Sequence, residues 1–378
     1  MASGEDCQLQ KPTKQDFEKV EEVQMSSFSA VIMAGGSGTR FWPKSRRLTP
    51  KQTLPFLNGE SLLQRTVSRL SSILTPEDFL IVTGADQLQQ VKEQLPHLPE
   101  SAFIGEPAAR NTAPCVALAA HLLAKKDEQK PMVVLASDHF IAQEEKWLEV
   151  FSQGAKMAAE EKGRVVVFGV QPTRAHTGFG YVKFDQELGN GLFVVSGFRE
   201  KPDQKTAESY LAEGCYYWNS GCFAWRPDTL LELVAEHMPE LHTLLKELSA
   251  RGDSKEALAE LYPQAPSISV DYGIMERCSS IKGLILDVGW NDVGAWPSLF
   301  QVLEGDDKGT INMAQESLLL DCEDSLFSAE DQLIAAVGVK DLIVVQSQGV
   351  ILVCPRSEGE RVKELVAEIK ARGRDDLI

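Results

Sequence analysis

The residues able to do chemistry in this 378-residue chain begin with a glycine loop. The apolar run Ala30-Val31-Ile32-Met33 stops abruptly at Gly35-Gly36-Ser37-Gly38-Thr39-Arg40. A strand that runs into a glycine-rich turn opens many nucleotide-binding α/β folds. Glycines let main-chain N–H groups come close to a phosphate, and Arg40 adds a charged fork. Lys51, in Pro50-Lys51-Gln52, is spaced to reach the same anion. The loop is not a P-loop, because no Gly-Lys-Ser/Thr follows at the required distance. It is not the dinucleotide fingerprint either: counted from Gly36 and Gly38, the third glycine falls on Phe41. Asp138 follows a second apolar run, Met132–Leu135, where ligands collect in open α/β sheets. Another carboxylate, Asp292, lies in Trp290-Asn291-Asp292. Nucleophilic machinery is not visible. There is no Gly-x-Ser-x-Gly elbow, and the six histidines do not cluster. His139, beside Asp138, reads as a loop or packing residue.

Holding such residues in place takes a sizeable core, and the composition supplies one. Hydrophobic residues make up 43% and charged residues 25%, which excludes disorder across the whole chain. The 38 Lys+Arg against 55 Asp+Glu give a net charge of −17. That balance argues against nucleic acid, whose binding needs clustered cations. A small anionic substrate is still compatible, since a few cations in one cleft suffice. Seven cysteines, without a C-x-x-C, point to a reducing, cytoplasmic setting. No run approaches the roughly 20 apolar residues of a membrane span, and no signal-peptide core is visible. Met1 to Ser27 are polar and mixed in charge, and read as a flexible or weakly helical extension.

The pattern between the motifs alternates. Strands are expected at Ala30–Met33, Phe79–Val82, Met132–Leu135 and Val165–Phe168. Helices are expected at Ser61–Ile73, around Leu88, Val91 and Leu95, at Thr112–Ala124 and over 145–161. Such alternation gives a mostly parallel sheet covered on both faces. Further strands are expected at Gly180–Phe184, Phe193–Phe198, Cys222–Trp225 and Ile281–Leu286, with helices from Pro227 to about 262. After about 303 the texture turns to short β pieces, at Ser317–Leu320, Leu333–Val337, Leu342–Val345 and Val350–Val353. A helix over Glu358–Ala371 follows. No internal repeat is visible. The expected division is an extension over 1–27, an α/β catalytic domain over 28–303 and a small β domain over 304–378.

Met33 to Ser45, followed by Pro50-Lys51-Gln52, resembles the signature of the sugar-nucleotide pyrophosphorylases, nucleotidyltransferases acting on sugar 1-phosphates. Seven later segments resemble the branch that joins GTP to mannose 1-phosphate: Glu106 to Pro114, Ser137 to His139, Thr177 to Tyr181, Phe198 to Pro202, Trp218 to Gly221, Ser269 to Tyr272 and Trp290 to Trp296. They occur in the expected order over roughly residues 29–300. The chain is similar to the short, single-function form, without the cupin-like isomerase domain of bifunctional relatives.

The resemblance implies a Rossmann-like nucleotidyltransferase domain followed by a short left-handed β-helix that helps form homodimers. It implies transfer of GMP from GTP to mannose 1-phosphate, giving GDP-mannose and pyrophosphate without a covalent enzyme intermediate. Asp138 and Asp292 would hold Mg²⁺ or another divalent cation, an ion suited to few carboxylates plus phosphate and water. Gly35, Gly36, Gly38, Thr39, Arg40 and Lys51 would take the triphosphate. Glu106, Arg110, Asn111 and Thr112 would lie next to the base. Gly180, Glu200, Lys201 and Asn219 would form the sugar-phosphate pocket, with Lys201 on the phosphate. Asp271 lies in a family-like segment without an assignable role. Other readings are a sibling enzyme for another base or sugar, and a catalytically silent regulatory subunit. The second would need damage at Arg40, Lys51, Asp138, Lys201 or Asp292, all of which are present.

Overall fold

The computed structural model describes residues 28–378 apart from Ser37 and Asn58, so the expected N-terminal extension lies outside the described residues. The nine strands of the main sheet are β1 (Ser29–Met33), β2 (Phe79–Gly84), β3 (Phe103–Glu106), β4 (Met132–Ala136), β5 (Val165–Val170), β6 (Tyr181–Glu187), β7 (Leu192–Arg199), β8 (Tyr216–Trp225) and β9 (Ile281–Ile285). Their order is β3-β2-β1-β4-β8-β5-β9-β7-β6. The half that carries the glycine loop, β3-β2-β1-β4, is parallel throughout, as is the pair β5-β9. Antiparallel β8 joins these parallel groups, β7 and β6 continue the sheet antiparallel, and β6 also pairs antiparallel with the start of β8.

Strand residues alternate between the two faces. Val31 joins one core with the helices Thr112–Asp127, Pro227–His237 and Pro239–Ala250. Its neighbours Ala30 and Ile32 join the other, with Leu62–Leu70 and Glu144–Glu160. Both faces are therefore dry, which is why these strands read as continuous apolar runs. Helix ends fall where cap chemistry sets them. Ser61 and Gln64 form a reciprocal capping box before Leu62–Leu70, and the Asn111 side chain accepts from the Thr112 amide at 2.8 Å.

Two strands depart from the sequence reading. β3 is not signalled by an apolar run, yet it sets Glu106 at the sheet edge. β8 begins at Tyr216, not Cys222. Asn219-Ser220-Gly221 lies outside the expected strand, but in the sheet it is an irregularity between Asn219 and Phe223 inside a ten-residue strand. Such bulges re-aim side chains beside functional sites.

Beyond the main sheet, β10 (Ile311–Asn312), β12 (Leu326–Ala329) and β14 (Leu342–Ser347) stack in parallel, as do β11 (Ser317–Leu320) and β13 (Ile334–Val337). β15 (Val350–Pro355) closes the stack antiparallel to β14. This is a coil of β-strands with a repeat that is hard to see in sequence. Ile311, Leu326 and Ile343 stack in register, and two residues before each lies a left-handed corner at Gly309, Asp324 and Asp341. Glycine and aspartate both tolerate that backbone, so the corner recurs without one residue type recurring. A third core joins the coil to the loop region: Phe41, Trp42, Phe56, Val293 and Trp296 pack with Ile311, Leu326, Ile343 and Val345.

Candidate active site

The glycine loop leaves β1 at the C-terminal edge of the parallel half. Its base is pinned by hydrogen bonds: the Ala34 carbonyl accepts from Gln52 Nε2 at 2.7 Å and from Thr83 Oγ1 at 2.8 Å. Gly38 has φ +59°, and a Cβ there would lie 2.4 Å from Lys51 Cβ. Only glycine lets the loop pass over Lys51 at this distance.

A cavity of about 300 Å³ opens beside the loop, lined by Gly38, Thr39, Arg40, Lys51, Asp138, His139, Asp292 and Gly294. Four of the five expected catalytic residues therefore meet at one place. Lys51 is buried, and its ammonium donates to Asp138 Oδ2 at 2.8 Å and to the Asp292 carbonyl at 2.7 Å. It thus ties together two loops that are far apart in sequence. Burial alone would push the Asp138 carboxyl up; the Lys51 ammonium hydrogen-bonded to it outweighs this and holds it below the usual range. The Asp292 carboxylate takes no hydrogen bond among the described residues. Its loop is strained, because Val293, a β-branched residue, has φ +45°. The Asn291 side chain supports that turn by accepting from the Val293 amide at 2.7 Å. Arg40 stands at the rim, donating to the Gly294 carbonyl at 3.2 Å and lying 3.8 Å from Glu360.

The two carboxylates offer oxygen donors of the kind Mg²⁺ prefers. Among the described residues no group of three or more His, Cys, Asp or Glu could cage a metal. A cation here would therefore be completed by phosphate and water, which is how Mg²⁺ is usually held.

Lys201, the fifth expected catalytic residue, belongs to a second cluster. Its ammonium lies 2.8 Å from Glu200 Oε1, and its backbone is left-handed at φ +45°. The Asn219 amide donates to the Gly180 carbonyl at 2.8 Å. Asn219 Nδ2 donates to Asp271 Oδ1 at 2.8 Å. Gly180, Glu200, Lys201 and Asn219 are thus neighbours, and Asp271 joins them. Burial, with the Glu200 charge beside it, pushes the Asp271 carboxyl up to about 6. The sequence carried Asp271 in a recognisable segment, but only the fold shows which side chains it meets.

Of the expected base-side residues, Glu106 is the one beside the glycine loop: a Cβ on Gly35 would lie 3.9 Å from its Oε2. Its Oε1 accepts from the hydroxyl of buried Tyr262, a partner with no sequence signal. Arg110 and Thr112 face another segment. The Arg110 guanidinium donates to the Pro263 carbonyl, and Thr112 Oγ1 accepts from the Val270 amide at 2.9 Å. Asn111 serves as the helix cap.

Burial pushes the Glu106 carboxyl up to about 7, against the opposing Tyr262 hydrogen bond. In the unfolded chain a glutamate titrates at about 4.3. The folded protein thus holds the proton more tightly, and this group's stabilisation is complete below that value and lost as pH rises through about 7. Glu106→Gln abolishes the titration. Its melting temperature is expected to gain several degrees on wild type between pH 5 and pH 8. Thermal melts across that range check this; a constant gap would count against it.

Comparisons with known proteins identify the family of the chain. A family model described as nucleotidyl transferase matches residues 29–309, and one described as a MannoseP isomerase/GMP-like beta-helix domain matches residues 315–369. A mannose-1-phosphate guanylyltransferase of Escherichia coli K12 is 38% identical over 368 residues, covering 93% of this chain and 75% of the relative. A putative mannose-1-phosphate guanylyltransferase of Vibrio cholerae serotype O1 is 36% identical over 354 residues, covering 92% and 75%. Among solved structures, one named mannose-1-phosphate geranyltransferase, from Thermus thermophilus, superposes with a TM-score of 0.82 at 33% identity. That match covers 91% of this chain and 99% of the other. The chain belongs to the nucleotidyl transferase family.

Proposed function

We propose that this chain transfers GMP from GTP to α-D-mannose 1-phosphate, giving GDP-mannose and pyrophosphate. The observation that carries the reading is the convergence of Arg40, Lys51, Asp138 and Asp292 on one cavity at the C-terminal edge of the parallel strands. An oxygen of the sugar phosphate attacks the α-phosphorus of GTP. The bond to the departing pyrophosphate breaks in line, and no enzyme group forms a covalent bond. Two polyanions must meet, so the work is charge neutralisation and alignment.

Arg40, at the rim, grips the triphosphate together with the main-chain N–H groups of Gly35, Gly36, Gly38 and Thr39. Lys51 fixes the two carboxylate loops and adds positive charge behind them. Asp138 and Asp292 would hold Mg²⁺, which when bound draws negative charge from the α-phosphate. Glu106 accepts from the ring N–H and exocyclic amine of guanine, groups that adenine does not present in that arrangement; Arg110, Asn111 and Thr112 shape the wall behind it. Lys201 meets the sugar phosphate. Glu200, Asn219 and the backbone at Gly180 bind the hydroxyls.

Gly180 offers a test of the sugar side. A Cβ there would lie 2.3 Å from Glu200 Oε2 and 3.2 Å from Asn219 Cβ. Gly180→Ala is expected to raise KM for mannose 1-phosphate about tenfold, roughly 1.4 kcal/mol of lost binding. KM for GTP should stay unchanged. Steady-state kinetics with each substrate varied separately checks this, and an equal rise in both constants contradicts the placement.

We divide the chain into a catalytic domain over 28–303 and a β domain over 304–378, and propose that it works as a homodimer. Exposed Leu318, Leu320 and Val337 on β11 and β13 support an apolar contact between copies. Cys115, Cys222, Cys278, Cys322 and Cys354 carry no disulfide, which supports a cytoplasmic setting. Among the described residues no helix is long and apolar enough to cross a membrane. The deciding assay is pyrophosphate release with Mg²⁺, pairing GTP, ATP, UTP and CTP with mannose 1-phosphate and with glucose 1-phosphate. Strong release only with GTP and mannose 1-phosphate supports the assignment. A different preferred pair overturns the base and sugar assignments, and no release with any pair overturns the activity.

A further inference from the structure

The sequence assigns His139 no more than a place in a loop, but in the folded chain it lines the cavity beside Lys51, Asp138 and Asp292. Its Nδ1 lies 3.1 Å from Trp290 Nε1. An indole nitrogen only donates, so Nδ1 must accept. In a neutral ring the proton then sits on Nε2, the nitrogen with no protein partner among the described residues. The ring is also held in place. Trp290 meets it edge-on, with centroids 5.1 Å apart, and Phe179 packs on Trp290 at 5.5 Å. Trp290 itself is fixed by the short strand pair Trp290–Asn291 and Phe140–Ile141, which sets the loops of Asp138 and Asp292 side by side.

We propose that His139 is a further catalytic residue, a neutral Nε2–H donor to a phosphate oxygen in the cavity, and that Trp290 is the positioning residue that fixes this tautomer. The inference rests on the guanylyltransferase reading above. A neutral donor suits this place. An imidazolium next to Asp138 would compete with any cation held there, whereas a neutral N–H stabilises phosphate charge without that competition.

Two amide substitutions separate this role from packing. His139→Asn sets a carbonyl near the Nδ1 position, keeps a partner for Trp290 and loses the Nε2 donor. His139→Gln reaches the Nε2 position with an N–H and gives up the Trp290 contact. The asparagine variant is expected to lose on the order of 100-fold in kcat with KM for GTP little changed, and the glutamine variant only about a few-fold. Equal loss in both, loss in the glutamine variant alone, or no loss in either overturns the proposal. Thermal melts confirm that both variants fold. The nitrogen-15 spectrum of the His139 ring gives a readout independent of turnover. Wild type should show one tautomer with Nδ1 unprotonated, and Trp290→Phe a mixture; a mixture in wild type overturns the positioning role. Wild-type turnover with GTP and mannose 1-phosphate is measured alongside. Its absence fails the guanylyltransferase reading and this inference together, whereas turnover with the wrong variant order fails the His139 role alone.

Discussion

Asp292→Asn is expected to lower kcat by on the order of 1000-fold while the protein melts within a degree or two of wild type. The carboxylate takes no hydrogen bond among the described residues, so no internal contact is lost with its charge. The backbone carbonyl of Asp292, which accepts from Lys51 at 2.7 Å, is untouched by the substitution. Loss of turnover with folding preserved would mean that the charge acts on substrate or cation. Near wild-type turnover would remove Asp292 from the reaction and leave its strained loop without a catalytic reason.

Lys51→Met is expected to be as damaging to turnover and, unlike Asp292→Asn, to weaken the fold. Its ammonium is buried and bridges Asp138 to the Asp292 loop. Breaking a fully buried pair costs about 3–5 kcal/mol. Asp138 keeps 34% of its side chain exposed, so water can reach the abandoned carboxylate. A loss of about 2 kcal/mol is therefore the better expectation. Denaturant unfolding measures it, alongside kcat/KM, which should fall by on the order of 1000-fold or more. If activity falls but stability does not, Lys51 acts on substrate alone. If stability falls and activity survives, Lys51 is a structural strut.

The parallel half of the sheet and its loops are legible in the sequence for a simple reason. Strands dry on both faces are unbroken apolar runs, and the glycine loop must follow one of them. Arg40, Lys51, Asp138 and Asp292 stand out because each sits at the end of such a run or in a recognisable segment. What stays hidden is lateral. Tyr262 against Glu106 and Asp271 against Asn219 join distant parts of the chain, and no local pattern records those contacts. His139 is hidden differently, since its role depends on which nitrogen Trp290 engages. The bulge in β8 is hidden because Asn219-Ser220-Gly221 has turn chemistry and is held in the sheet only by β5 and β6. In the β coil, the repeat is carried by backbone conformation at Gly309, Asp324 and Asp341 rather than by residue identity.

Phe41 and Trp42 follow Arg40 directly, and both are buried in the core that also holds Leu326, Ile343 and Val345. Trp296 Nε1 donates to the Trp42 carbonyl at 3.0 Å, and Trp42 Nε1 donates to the Leu377 carbonyl at 2.7 Å, near the chain end. Local opening of that core frees the arginine turn, so the two should unfold as one cooperative unit. The Phe41 and Trp42 amides are bonded within the turn, to the Gly38 and Thr39 carbonyls. Their hydrogen exchange should therefore keep pace with that of Ile343 and Val345. A cavity made in the coil, as by Leu326→Ala at about 2–5 kcal/mol, then lowers nucleotide affinity before it melts the main sheet.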